Sequence, residues 1–395
     1  MSSRGWPRVT LGELTAGTRP ISYGVLKPGP LTPGGVPLLR IQDMAGDVIS
    51  KGGLHFISPE LDEEFRRTRL RGGEVLLSIQ GTVGRAAICP ADLAGANISR
   101  TIAVIQPDRR MLPEFLRYYL HYLRAKGGFE TGGSTRASLN ISTIRALAVP
   151  TPPVGEQRRI VELLEDHLSR LDAAALELAR ASQRLEVLLA AGIGSAFHRS
   201  GGPLRPMGEL ARWGSGGTPR AGVKDFYDGG TIPWLNSGDL ADGLVEEAPL
   251  RITEAGLASS SAKWVPPGSV LVAMYGATIG RLGIAGAPLT TNQAIAFATP
   301  GPELLASYLF WFLRSQRPHL VAAGKGGAQP NISQSLLKQW QIPVPPLDQQ
   351  EAAVREADAI AAGIGRMRTQ LGLADAKGRS LRKGLLVEAF AGRLA

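Results

Sequence analysis

Arg85 and Arg281 each close the same short pattern, Thr82-Val83-Gly84-Arg85 and Thr278-Ile279-Gly280-Arg281, at a separation of 196 residues. Glycine lets a turn approach an anion closely, and a guanidinium grips a phosphate, or the edge of a guanine, through paired hydrogen bonds. Because the pattern recurs, anchoring a repeated group such as phosphate suits it better than reading one base. A hairpin turn whose arginine pairs with a nearby carboxylate gives the same pattern, so both readings stand. A denser basic feature is Arg66-Arg67, Arg69 and Arg71, just after Asp62-Glu63-Glu64. Such a run lines a phosphate backbone, or it is a solvated face neutralised by its own acids. Side chains that read bases rather than anchor phosphates are expected to be polar and to differ between related segments. Gln80, Arg100, Ser134, Thr135 and Arg136 are such candidates in the first half, with Asn236, Tyr275, Gln293, Lys325 and Gln329 in the second. Polar loop residues are often merely solvated, and that reading stays beside the functional one.

Catalytic chemistry has no comparable footing. The five histidines, His55, His121, His167, His198 and His319, show no ligand spacing, and the lone Cys89 excludes an internal disulfide or a cysteine-rich metal site. No Gly-x-x-x-x-Gly-Lys-Ser/Thr phosphate loop occurs, and Ala323-Gly324-Lys325-Gly326-Gly327 lacks its spacing and hydroxyl. Neither the Asn-Pro-Pro-aromatic nor the Asp-Pro-Pro-aromatic motif that amino-methyltransferases use for a flipped base is present. No apolar run reaches the ~18 residues of a membrane span, and the first residues lack a signal-peptide core. The expectation is a cytoplasmic protein with no catalytic residue and no metal.

Charge points to a polyanionic partner. The net charge is +10 with a pI near 10.0. Residues 1–155 carry 19 lysines and arginines against 12 acids, whereas residues 156–199 carry 6 against 7. The excess therefore lies mainly on the first half, where a phosphate-facing surface would place it.

These residues sit on a sequence written twice. Gly12-Glu13-Leu14 returns as Gly208-Glu209-Leu210, and Val36-Pro37-Leu38-Leu39 as Ile232-Pro233-Trp234-Leu235. Asn140-Ile141-Ser142 returns as Asn331-Ile332-Ser333. Val149-Pro150-Thr151-Pro152-Pro153, with Gln157 beyond it, returns as Ile342-Pro343-Val344-Pro345-Pro346, with Gln350 beyond it. A period of this length means two whole domains rather than solenoid units of ~20–50 residues. The halves agree at framework positions and differ between them, as two binders of different targets would, although drift after duplication explains the divergence equally well. Strands are expected at 75–79 and 270–274, and amphipathic helices at 112–126 and 302–316.

After each Pro-Pro comes a long helical stretch. The first has an apolar seam at Ile160, Leu164, Leu171, Ala174, Leu178, Ala181, Leu185 and Leu188, with His167 packed on it. The second follows Ala353, Ala357, Ile360, Ile364, Met367, Leu371, Ala374, Leu381 and Leu385. Steps of three and four are those of a coiled-coil seam, and two seams in one chain can close as an antiparallel pair. Two helices lying on their own domains are the alternative. Gly363, Gly365, Gly372, Gly378 and Gly384 weaken the second helix by up to ~1 kcal/mol each, so it is held by neighbours, broken, or approached closely by another backbone. The expected fold class is α+β: two duplicated mixed α/β domains, 1–153 and 201–346, separated by two long antiparallel coiled-coil helices, 154–200 and 347–395.

This order resembles the specificity subunits of type I restriction–modification systems. Pro150 to Ile160 is similar to that family's junction between domain and helix, with Pro343 to Gln350 a looser copy, and Leu385 to Leu394 is also similar. The resemblance covers nearly the whole chain. It implies two target-recognition domains, each reading half of a split site in double-stranded DNA. It also implies helices that act as a spacer and dock two methyltransferase (modification) subunits, with restriction/translocase subunits joining them. S-adenosylmethionine, ATP and Mg would then belong to the partners, and this chain would hold no cofactor. A coiled-coil scaffold whose globular halves bind protein is the competing expectation.

Overall fold

The computed structural model describes residues 5–45, 48–129, 138–324, 331–391 and 393. Contacts divide the chain into two units, 1–177 with 374–395 and 178–373.

In the first unit an antiparallel sheet is ordered Arg19–Tyr23, Ile102–Gln106, Val75–Ser78, Ala86–Ile88. Its central strand, Val75-Leu76-Leu77-Ser78, is buried throughout because both faces are covered. Successive side chains of a strand point to opposite faces. Val75 and Leu77 accordingly join a core with the helix Pro113–Ala125, while Leu76 joins another with Leu39, Ile98 and Cys89. A smaller sheet, His55–Ile57, Val36–Leu39, Asn97–Ile98, stands beside it. Arg8–Thr10 pairs with Ala148–Pro150, which brings the start of the domain to the chain just before the first long helix.

The second unit repeats this plan with one more strand on each sheet. Its main sheet runs Ala211–Ser215, Ile295–Pro300, Val270–Ala273, Leu282–Ala285, Gly243–Val245. The smaller one runs Leu250–Ile252, Ile232–Leu235, Leu289–Thr291, Trp264–Val265. Its helix, Ala306–Ala323, differs from the expected 302–316. It opens after the turn at Gly301-Pro302 and continues through Pro318, although proline supplies no N–H there.

The long helices span Val154–Ser200 and Leu347–Phe390 without a break. A buried glutamine fixes the start of each. Gln157 accepts from the Leu112 amide (2.8 Å) and donates to the carbonyls of Arg110 (2.7 Å) and Pro152 (2.8 Å). Gln350 repeats the set with the Leu305 amide (3.0 Å) and the carbonyls of Glu303 (2.8 Å) and Pro345 (2.9 Å). The Gln that follows each Pro-Pro thus ties the helix to its own domain.

Within each unit the two helices run antiparallel. In the first, Ile160, Leu164 and Leu168 share a core with Leu386, Ala389 and Phe390, and Asp172 pairs with Arg382. In the second, Leu185, Leu189, Ile193 and Phe197 share a core with Ala353, Ala357 and Ile364, and Glu186 pairs with Arg368. Of the expected seam, Ile160, Leu164, Leu171, Leu185, Ile360, Ile364 and Leu371 pack into these cores, and Leu178 is half-buried. The seam differs at Leu188, His167 and Met367, and Ala174, Ala374 and Leu381 are exposed as well. Leu188 is 57% exposed while Leu189 is 4%, because the step after Leu185 is four rather than three, as a 3.6-residue helix drifts against a heptad. Leu168 likewise takes the buried place expected for His167. Met367 is 55% exposed, and the next residue, Arg368, pairs with Glu186 at the surface. The glycines at 365, 372, 378 and 384 have open space where a side chain would go, and Gly363 has the Arg366 guanidinium nearby, so among the described residues no backbone of another element approaches them. The close approach is instead on the first helix, where a Cβ at Gly192 would sit 3.3 Å from Ile360.

Candidate nucleic-acid interface

In both units the candidate readers that the structure describes gather at one end of the sheets. Ile79 donates its amide to Thr101 O (2.9 Å) and accepts from the Leu139 amide (2.8 Å), which sets Gln80 beside Arg100 and Ser138. The Arg100 amide donates to Val25 O (2.8 Å), and the Ser99 amide to Leu39 O (2.8 Å). The second unit repeats three of these four links. Met274 donates to Ala294 O (2.8 Å) and accepts from the Ile332 amide (2.9 Å), and the Asn292 amide donates to Leu235 O (2.9 Å). Tyr275, Gln293 and Asn236 therefore occupy the same end as Gln80 and Arg100. Ser134, Thr135, Arg136, Lys325 and Gln329 lie outside the described residues. Asn236 is already engaged, accepting from Asn292 Nδ2 (3.0 Å) while its amide donates to Asp239 (2.9 Å).

Arg85 and Arg281 sit on this rim. Gly84 and Gly280 have φ of +85° and +76°, where only glycine is comfortable. A Cβ would also meet the Phe129 ring at 2.7 Å or Arg317 at 3.0 Å. Among the described residues neither arginine pairs with a carboxylate. Arg85 Nη1 donates to Met44 O (2.7 Å) and Arg281 Nη1 to Gly238 O (3.2 Å), so each braces the short turn that follows an equivalent strand. A guanidinium carries five N–H donors, so this contact leaves most of them for another acceptor.

The basic run lies elsewhere. Arg19 is buried against Glu74 (3.2 Å) and donates to the carbonyls of Arg67 (2.8 Å) and Arg69 (2.9 Å). That holds the run at the Val75 end of the sheet, away from Gln80. Arg66 pairs with Glu63 (3.1 Å), and Arg69 donates to Asp62 (2.9 Å) and Glu63 (3.1 Å). Hydrogen bonds from Arg66 and Arg69 hold the Glu63 carboxyl below its usual range. Arg67 remains exposed. The alternative of a face neutralised by its own acids fits Arg66 and Arg69, and the structure does not bring the run together with the other candidates.

Two features left little trace in the sequence. Asp242, with φ of +60°, holds Arg317 through both carboxylate oxygens and reaches Arg314 at 3.4 Å. Arg314 in turn meets Glu186 (2.7 Å) on the first long helix. Burial would push the Asp242 carboxyl up, but Arg317, the Leu282 amide and Arg314 outweigh it and hold it below the usual range. Thr218 donates its hydroxyl to Gln293 Oε1. Its signal was the turn run Gly216-Gly217-Thr218-Pro219, opposite Gly24-Val25-Leu26-Lys27.

Burial, with the Glu74 charge adding to it, pushes the Cys89 thiol up to about 12, so it is no nucleophile near neutral pH. Among the described residues no group of three or more His, Cys, Asp or Glu is placed to hold a metal ion, and no helix is long and apolar enough to cross a membrane.

Two copies of one frame, with the same turns and different rim side chains, define a duplicated recognition architecture. The family described as "Type I restriction modification DNA specificity domain" matches residues 6–179 and again 204–362, and the chain belongs to it. It is 28% identical over 195 residues to the type I restriction enzyme EcoBI specificity subunit of Escherichia coli, covering 49% of this chain and 41% of that protein. The EcoR124I/EcoR124II specificity subunit of Escherichia coli is 24% identical over 261 residues, 64% of each chain. The chain thus spans less than two thirds of these relatives. A chain from a solved type I R-M system superposes with a TM-score of 0.72 at 22% identity, over 99% of both chains.

Proposed function

We propose that this chain is the noncatalytic DNA-reading subunit of a type I restriction–modification complex. Each domain reads one half of a bipartite, asymmetric site. The observation that carries this reading is the repeated rim: Gln80, Arg85 and Arg100 in one unit, Tyr275, Arg281 and Gln293 in the other, on matching backbone links. Shared arginines suit phosphate anchoring, and divergent neighbours suit base reading. The long helices set the spacing of the half-sites and dock two methyltransferase subunits, to which restriction subunits are added. S-adenosylmethionine, ATP and Mg act in those partners, in the cytoplasm. The named relatives, restriction-enzyme specificity subunits, support this assembly.

Binding of duplex DNA by the full chain at a series of salt concentrations tests the reading. Affinity falls steeply with salt, and Arg85→Ala and Arg281→Ala each lower the slope by about one unit and weaken all sequences alike. Loss at one base pair would make these arginines readers, and salt-independent or absent binding would refute the DNA function.

A further inference from the structure

The second rim holds a built pair that its counterpart lacks. Gly217 donates to Thr291 O (2.9 Å) as Val25 does to Ile98 O (2.8 Å), so Thr218 stands where Leu26 stands in the first unit. Gln293, two residues beyond Thr291, stands where Arg100 stands. A loop leaves the rim at this point in both units, and glycine is obligatory before it: a Cβ on Gly216 would overlap the Thr291 carbonyl, as one on Gly24 would overlap that of Ile98.

Among the described residues, only the second loop is pinned on both sides of its exposed residue. Trp234 Nε1 donates to Gly217 O (3.0 Å), and the Tyr227 hydroxyl donates to Pro219 O (2.6 Å). Thr218 between them is exposed, and its hydroxyl donates to the carboxamide oxygen of the equally exposed Gln293. A hydrogen bond between two exposed side chains adds little to stability, because water competes for both groups. What it does is fix the direction of the Gln293 amide before any ligand arrives. Among the described residues nothing else engages that carboxamide, so one lone pair of Oε1 and both N–H groups stay open. In the major groove that donor–acceptor pair matches the N6 and N7 edge of adenine.

We infer that Gln293 reads an adenine in the second half-site and that Thr218 is the residue that positions it. This deepens the proposed function and rests on it. In the first unit Leu26 and Arg100 occupy the two places, so the first half-site is read differently at the matching position.

The test selects bound sequences from a randomised duplex library, using the complex purified from cells by a tag on the full chain. Wild type recovers a two-part motif. Gln293→Ala lowers the preference for adenine at one position of one half by about tenfold or more. Thr218→Val lowers it at the same position, Thr218→Ser restores it, and the other half is unchanged in all three. Thermal melting unchanged from wild type confirms that each variant is folded. Variants that recover the wild-type motif, that relax different positions, or that relax a base pair without adenine overturn this inference and leave the DNA reading intact. A wild-type complex that recovers no motif overturns both.

Discussion

Asp242 is, among the described residues, the non-glycine residue with a positive φ, and it sits where three arginine contacts meet the rim turn of the second unit. A carboxylate in a left-handed backbone conformation, between buried Arg314 and half-buried Arg317, holds the Gly280 turn through Arg317, which also donates to Gly280 O (2.6 Å). Its depressed folded-state pKa makes a signed prediction. The contribution to stability is complete above the unfolded value, about 3.9, and is lost as pH falls through the lower folded value. Asp242→Asn keeps a residue that tolerates positive φ but removes the charge. The variant is expected to melt below wild type at neutral pH, with the gap closing below about pH 4. A gap that stays constant through the acid range would mean that the charge of Asp242 is not what holds the turn. None of this was visible in the sequence, because Asp242, Arg314 and Glu186 are far apart along the chain and meet only through the fold. The Gly-Arg pairs were legible, since glycine at positive φ leaves a mark that recurs. What Arg85 and Arg281 touch was not, because their partners are backbone carbonyls, which carry no residue identity.

The long helices were the most legible elements, because apolar residues recurring in steps of three and four over so long a stretch mark a helix that packs along one side. Their detail was less so: Leu189 replaces Leu188 and Leu168 replaces His167, the slip of a straight helix against a heptad pattern. An aspartate at Leu189 is therefore expected to cost several kcal/mol, as an unpaired buried charge does, and one at exposed Leu188 very little. The glycines give a second measurement. Alanine at Gly365, Gly372, Gly378 or Gly384 enters open space, so each stabilises its unit by up to ~1 kcal/mol in denaturant titrations. Alanine at Gly192 meets Ile360 and should gain less or lose stability. Stabilisation at Gly192 equal to that at Gly372 would refute the close packing there. The edges of the mixed domains were the least legible. The helix at Ala306–Ala323 runs past a proline, and the extra edge strands Gly243–Val245 and Trp264–Val265 are too short to leave a periodic signal.

At the scale of the molecule, duplication is the feature from which the rest follows. It was readable from framework residues, and the structure returns it as the same order of shared strands, the same Gln-anchored helix start and three shared rim links in each unit. Function is carried by what differs on that frame. If helix length sets the distance between half-sites, four residues inserted between Arg180 and Ala181 add about 6 Å, a near-complete turn. The preferred spacer should then lengthen by roughly two base pairs, at ~3.4 Å of rise each, with both half-sites unchanged. An unaltered spacer would remove the helices as the ruler. The most direct test of the division of labour exchanges residues 1–150 for the equivalent region of a relative and determines the recognised sequence by methylation-sensitive sequencing of the host genome. One half-site should change to that of the donor while the other half stays as it was. Both halves changing together, or neither changing, would contradict the account that each domain reads its own half.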